Sequence, residues 1–482
     1  MGDVPVVVWF RRDLRLHDHP ALTDALSRGV PIAPLVVIDP ALLHGRFASP
    51  NRAWFYLGSV AALRASLESA GSRLFVRVGD PVAVVPEFTR EVRASDVLVS
   101  RDYTPYGRRR DAAVVDALRA GGGDLHPKRG ILIHEPEDLV AGGGGAYTVF
   151  GPYQRRWQAR IIRDVLPPPT AVRTVDGDDG VIPDRASLGI DEPTADPSAL
   201  PEPGEAAARA RLEAWLAAGP AHGPGSYHRT RDALADEEAT SRLSVDLRFG
   251  TLSPVDVANR AMAADDGGDG SRRFVTELAW RDFYAHALWH APRTAREPLD
   301  ERYRELTYER DDDGLAAWRD GRTGYPIVDA GMRQLRATGW LPNRARMIVA
   351  SFLTKDLLLD WRDGERVFME RLIDGDPASN LGNWQWVASI GTDSRSFVRV
   401  FNPVTQAKRF DPDGEYVRRW VPELGRVAAT RIHEPWTMTG DEQERAGVRL
   451  GVDYPAPIVD HAAARVRALA RYAEAAAAAA SP

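Results

Sequence analysis

The sequence predicts an α/β fold: an N-terminal domain built on a doubly wound parallel sheet, followed by a large all-helical domain. Three observations predict it. Short apolar runs alternate with helical stretches over residues 1–135, the chain turns to breakers over 136–205, and helical periodicity dominates 206–482. These ranges are read as one α/β domain, an interdomain linker that wraps the surface, and the helical domain.

The first domain's strands are continuous apolar runs, as strands covered on both faces require. Val6-Val-Val-Trp-Phe10 and Ile32-Ala-Pro-Leu-Val-Val-Ile38 open the series, and Leu74-Phe-Val-Arg-Val78, Val97-Leu-Val-Ser100 and Ile131-Leu-Ile133 continue it. Helices are expected over 51–70, 81–93 and 108–120. No GxGxxG follows the first strand, so the dinucleotide fingerprint is absent. A ligand on such a sheet belongs at the C-terminal strand ends, where Asp39, Asp102 and the loop Tyr103-Thr-Pro-Tyr-Gly107 fall. An Asp in that position also reads as a helix cap. In the linker, Gly142-Gly-Gly-Gly145, Pro167-Pro-Pro169 and Asp176-Gly-Asp-Asp-Gly180 break any long helix. The alanine-rich tail from His461 reads as a closing helix that frays into Ser481-Pro482.

Composition narrows the function classes. The absence of cysteine excludes disulfides, thiolate metal sites and a cysteine nucleophile, and suits a reducing, cytoplasmic setting. No metal site is expected. The acidic start Met1-Gly-Asp-Val does not read as a signal peptide, and no apolar run is long enough to span a bilayer. A net charge of −6 argues against indiscriminate polyanion binding, yet permits a local basic groove.

The chain's most informative stretch is Asp374-Gly-Asp-Pro-Ala-Ser-Asn-Leu-Gly-Asn-Trp-Gln-Trp386. Asp376 is placed to cap a helix opened by Pro377. Asn380 and Trp384 then share one face, while Trp386 points away from it. Glu277, Trp280, Arg281 and Tyr284 form another helical face with the character of a pocket wall, and Asn343, Arg346 and Met347 form a third. Thr240-Ser-Arg-Leu-Ser244 clusters hydroxyls and N–H groups at a helix start; this suits a pyrophosphate, and equally an ordinary capping segment.

With Gly225-Ser-Tyr-His-Arg-Thr-Arg-Asp232, Leu247-Arg-Phe-Gly-Thr-Leu-Ser253, Gly324-Tyr-Pro-Ile-Val-Asp-Ala330, Gly391-Thr-Asp393 and Arg399-Val-Phe-Asn-Pro403, these motifs stand in the order of the photolyase/cryptochrome family. The likeness runs from Trp9-Phe-Arg-Arg-Asp-Leu-Arg-Leu-His-Asp18 to Tyr454-Pro-Ala-Pro-Ile-Val459, and most resembles the class I photolyases that split cyclobutane pyrimidine dimers. It implies FAD in the helical domain, held by Tyr227, by Thr240, Ser241, Arg242, Leu243 and Ser244, and by Arg346, Asp374, Gly375, Asp376 and Asn380. It implies a lesion pocket of Glu277, Trp280, Asn343, Met347 and Trp386, with Asn380 facing flavin N5. Arg231, Arg281, Tyr284, Arg344, Arg399 and Gln406 are the further expected DNA contacts. UV-damaged DNA is the expected partner, with a flipped-out dimer opened by an electron from light-excited reduced FAD. A monomer without an obligate protein partner is expected.

The alternative is a cryptochrome-type photoreceptor without repair. Asn380, Met347, Trp280 and the short tail speak against it. The resemblance also implies a chain of aromatic electron carriers: Trp384, then Trp361, then Tyr308 where the family commonly has Trp, with Glu309 or solvent taking the phenolic proton. Trp318 is the competing terminus. In the first domain, Asp102-Tyr-Thr-Pro-Tyr-Gly-Arg-Arg-Arg-Asp111 is similar to the loop of deazaflavin-carrying members. Asp39, Asp102 and Arg248 are therefore expected to hold an antenna, 8-hydroxy-5-deazaflavin in preference to methenyltetrahydrofolate or FMN.

Overall fold

The structure is a computed structural model that describes residues 4–392 and 398–480. The residues before Val4, Asp393 of the Gly391-Thr-Asp393 motif, and Ser481-Pro482 lie outside the described residues.

The N-terminal sheet consists of β1 (Val6–Phe10), β2 (Ile32–Ile38), β3 (Phe75–Val78), β4 (Asp96–Ser100) and β5 (Asp124–Lys128). Neighbours run parallel in the order β3-β2-β1-β4-β5. Side chains alternate between two covered faces: Val6, Val8 and Phe10 join one apolar cluster, Val7 and Trp9 another. Pro50, Pro81 and Pro105 each open a helix just after a capping side chain, from Ser49, Asp80 and Thr104 respectively.

The expected strand at 131–133 is corrected. Those residues are not a strand, because their backbone groups are satisfied by side chains of the helical domain. Asp282 accepts from Ile133 N at 3.1 Å and His134 N at 3.0 Å, and Arg281 donates to Ile131 O at 2.6 Å. The last strand is instead Asp124-Leu-His-Pro-Lys128, at the sheet edge, where a proline is tolerated. The linker is also more structured than its breakers suggest. A helix α1 (Phe150–Gln158) lies within it, burying Phe150, Tyr153 and Trp157 against the helical domain.

Beyond the linker, the elements that build the site are α2 (Ser244–Phe249), α3 (Asp269–His290), α4 (Asn343–Ser351), α5 (Trp361–Arg371) and α6 (Pro377–Val387), and the closing helix α7 (His461–Ala480) packs behind them. One continuous apolar core runs through them, in which Trp157, Trp318, Trp361 and Trp384 are fully buried. Among the described residues, no helix is long and apolar enough to cross a membrane.

Candidate functional site

The turn 374–376 and α6 form the floor of a cavity of about 450 Å³, walled by α3, α4 and the 240–244 segment. Asp376 caps α6 as its position implied, Oδ1 accepting from Ser379 N at 2.9 Å. Pro377 follows at the first helical position, so Asn380 and Trp384 are presented on one face. The Asn380 amide donates to Glu365 O at 3.2 Å and Glu365 Oε1 at 3.3 Å, leaving its carbonyl oxygen to accept. Burial pushes the Glu365 carboxyl up, against the pull of Arg46 and of the Asn380 hydrogen bond. Asp374 Oδ2 accepts from Arg346 at 2.7 Å, while its Oδ1 is buried with no partner among the described residues. That oxygen marks a place for an N–H donor.

Thr240, Ser241, Arg242, Leu243 and Ser244 line the cavity together with Tyr227. Arg242 adopts a left-handed φ of 52° and lies over the Trp340 ring at 4.8 Å. Trp340 Nε1 in turn donates to Ser244 Oγ at 3.3 Å. Gly375 offers its carbonyl to Arg248 Nε at 2.8 Å.

The opposite wall is the predicted face of α3. Glu277 is held by Arg231 and, at 2.9 Å, by Arg273. Trp280 stacks one face on Phe150 at 3.6 Å and 11°, and lies 5.4 Å from Tyr284. Asn343 Nδ2 lies 3.5 Å from Met347 Sδ at the rim. Trp386, half-buried, lies under Arg399 at 4.5 Å. Arg344 pairs with Asp232 at 2.9 Å over the Phe410 ring. Two further expected DNA contacts line the cavity with their polar ends engaged by the protein. Arg281 donates to Ile131 O and to Leu247 O (3.1 Å), and Tyr284 is buried with its hydroxyl donating to Asn383 at 3.2 Å. Gln406, on the Pro403–Phe410 helix, stands outside the cavity lining.

Trp384 packs edge-on to Phe368 at 5.0 Å and to Trp318 at 6.2 Å. Trp361 opens α5, and Tyr308 lies beside the Asp360 and Arg362 that flank it. Burial and the Asp360 carboxylate push the Tyr308 phenol up, with Arg362 opposing. Glu309 is paired with Arg471 at 2.9 Å, so Asp360 is the carboxylate whose field acts on the phenol. Trp318, the competing terminus, is fully buried, with its indole donating to Val349 O at 2.8 Å.

A second cavity, about 640 Å³, opens at the C-terminal ends of β1, β2 and β4, where an open parallel sheet places ligands. Trp9, Asp39, Asp102, Tyr106, Arg110 and Arg248 are among its walls. Both aspartates line this cavity, and the helix-cap reading holds for Asp39 alone, since Thr104 caps the Pro105 helix. Asp39 caps the Pro40–His44 helix and accepts from the Tyr106 hydroxyl, while lining the cavity. Asp102 accepts from Thr104 N at 3.0 Å and pairs with Arg110 at 3.3 Å; burial raises its carboxyl, but Arg110, Arg12 and Arg11 bring it down to about 2. Arg248 lines both cavities rather than the second alone. Sequence reasoning missed Glu365, Arg273, Phe150 and Arg12. Two of them left a helical signal: Glu365 stands four residues after Trp361, and Arg273 four before Glu277.

Comparison with known proteins agrees with this geometry. Residues 6–172 match the DNA photolyase family model, and residues 274–474 match the FAD binding domain of DNA photolyase. A deoxyribodipyrimidine photo-lyase of Streptomyces griseus is 43% identical, the match covering 96% of this chain and 97% of the relative. A bacterial class III photolyase structure from Agrobacterium tumefaciens superposes with a TM-score of 0.91 at 38% identity, over 98% of each chain. A Synechocystis cryptochrome structure superposes at 0.88 and 32% identity, over 98% of this chain and 99% of that one. Matches of this extent, on a chain that sets a carboxylate-and-amide floor beneath an indole-walled cavity, lead to one conclusion: the chain belongs to the DNA photolyase family, with the family's FAD-binding domain in its helical half.

Proposed function

We propose that the protein is a light-driven lyase that splits cyclobutane pyrimidine dimers in UV-damaged DNA. One observation carries the reading: a single cavity is lined both by Asp374, Asp376 and Asn380 and by Glu277, Trp280 and Trp386. The first group suits the polar edge of a flavin, the second a flipped-out dimer. The fit to FAD rests on the unpartnered Asp374 oxygen, which suits an imide N–H, and on the Asn380 carbonyl, which suits a flavin N–H. Arg346 orients Asp374, and the 240–244 hydroxyls suit the pyrophosphate. FAD bound there supplies, once reduced and excited by light, the electron that opens the cyclobutane ring.

The chain's own residues do the positioning. Trp280, with one face covered by Phe150, offers its other face to a base, and Trp386 offers a second platform. Stacking of this kind contributes about 1–3 kcal/mol per base. Glu277 accepts from the lesion, and Asn343 and Met347 close the rim. Arg231, Arg344 and Arg399 contact the backbone, whereas Arg281 and Tyr284 brace the wall from inside. Trp384, Trp361 and Tyr308 carry electrons inward for activation. The domain ranges 1–135, 136–205 and 206–482 are retained, with α1 anchoring the middle segment to the last.

The second cavity carries the antenna in this reading. The guanidinium groups around Trp9 and Tyr106 suit a flat, anionic chromophore, with 8-hydroxy-5-deazaflavin ahead of methenyltetrahydrofolate and FMN. Illumination of the purified protein with a dimer-containing oligonucleotide tests the main reading. Restored thymines are expected, together with their loss in Trp280→Ala and Glu277→Ala that still bind FAD. A folded, FAD-loaded wild type that leaves dimers intact would favour the photoreceptor reading.

A further inference from the structure

The two cavities share a partition whose charges cross between the domains. Arg12 follows β1 and lines the second cavity; its guanidinium pairs with Asp376, which lines the first. Asp376 gives its other oxygen to Ser379 N at 2.9 Å, so one carboxylate ties Arg12 to the start of α6. Arg248, on the same partition, holds Gly375 O at 2.8 Å.

Arg12 is itself fixed. Gly250 ends α2 in the left-handed region at φ 68°, and a Cβ there would lie 1.9 Å from the Arg12 carbonyl oxygen. Leu14 N also donates to Phe249 O at 3.3 Å. The turn that presents Arg248 thus clamps the backbone of Arg12. Burial would raise the Asp376 carboxyl, but Arg12, Arg248 and Arg281 reverse this and hold it well below the usual carboxylate range. Asp102 and Asp282 also answer Arg12 and Arg281, so the partition is a charge network in which Asp376 is met by three guanidiniums.

We propose that Arg12, a residue of the α/β domain, is a positioning residue for the flavin site of the helical domain and acts on it through Asp376. The proposal rests on reading 374–380 as the flavin-facing floor. Arg12 orients the carboxylate that caps α6, and α6 places Asn380, Trp384 and Trp386. Its charge also favours the negative, reduced form of a flavin on that floor.

The test uses the full-length protein and the variants R12Q, R12K, D376N, R12Q/D376N and R12K/D376N. FAD affinity is measured by titration into apoprotein, and the flavin midpoint potential by spectroelectrochemistry. R12Q is expected to weaken FAD roughly tenfold, within the range of coupling between sites, and to move the potential to more negative values. R12K keeps the charge, so the potential is expected to hold while affinity falls about threefold, since a lysine ammonium does not reproduce the reach of the Arg12 guanidinium to Asp376 Oδ2. The affinity losses are not expected to add to D376N, whereas the shift in potential, a direct effect of the Arg12 charge, is expected to persist there. Wild-type affinity and potential in R12Q, or affinity losses as large in the D376N background as in the wild type, would overturn the proposal. Should R12Q fail to fold, the R12K pair decides: a loss confined to the Asp376 background supports the proposal, and no loss or an equal loss in both defeats it. A wild type that does not bind FAD would instead defeat the flavin reading itself.

Discussion

Replacing Gly364 with alanine tests whether Trp384 is held in one place. Gly364 lies in α5 with no room beside it: a Cβ would stand 2.1 Å from Trp384 Cη2, 2.6 Å from its Cζ3 and 2.5 Å from Leu353 Cδ2. Trp384 is 2% exposed and packed on Phe368 and Trp318, so the indole cannot withdraw without displacing them. Overpacking of this kind costs about 1–3 kcal/mol, while glycine to alanine in a helix interior returns about 1 kcal/mol. The difference spans about 0–2 kcal/mol, and the 2.1 Å approach puts the expected loss at its upper end. A melt followed by near-ultraviolet circular dichroism reads both the stability and the tryptophan environment, and photoreduction of oxidised FAD reads the position of Trp384. Photoreduction should slow together with the loss of stability. A G364A protein as stable as wild type, with unchanged photoreduction, would refute the reasoning, since helix propensity would then have outweighed a contact that does not exist.

Trp384→Phe should abolish photoreduction, and Tyr308→Phe should slow it while removing a tyrosyl signal from the transient spectrum; repair by pre-reduced enzyme should survive the Tyr308 change. Arg344→Ala should weaken binding of damaged DNA and lower the slope of log affinity against log salt by about 1, as expected for one lost phosphate contact; an unchanged slope would place Arg344 away from the backbone. His286 makes a pH prediction. Burial, then His290, lowers its pKa from 6.5 to about 4, and both ring nitrogens are committed, Nδ1 facing Pro136 O at 3.1 Å and Nε2 facing Tyr147 N at 3.0 Å. The unfolded chain therefore binds more protons between those values, so this contribution is full above pH 6.5 and is lost as pH falls toward 4. It amounts to about 3 kcal/mol at most. The stability difference between wild type and His286→Gln should shrink between pH 7 and pH 5; a constant difference would show that protonation is not the cause.

The parts legible in the sequence were those governed by local rules. The Asp376 cap, the Pro377 start and the division of Asn380 and Trp384 from Trp386 follow from helical geometry alone, and the floor of the cavity is built that way. β5 was illegible because an edge strand tolerates Pro127, while Ile131-Leu-Ile133 imitates a strand whose partners are the side chains of Asp282 and Arg281. The cavity's charged partners escaped for the same reason. Arg12 and Asp376 are 364 positions apart, and no periodicity connects them. The engagement of Arg281 was likewise invisible, since its spacing placed it on the face of Glu277 but its reach carried it to two carbonyls.

The clamp of Gly250 on Arg12 bears on how such proteins could be recombined. A cut at the linker would separate two compact halves, yet the Arg12 carbonyl and residue 250 fit only as a matched pair. A chimera that takes its sheet domain from one relative and its helical domain from another would keep both cores and still meet a steric mismatch wherever the donor places a side chain at 250. Modular exchange of sheet domains therefore requires the 248–250 turn to travel with the first fourteen residues, although it lies well inside the other half of the chain.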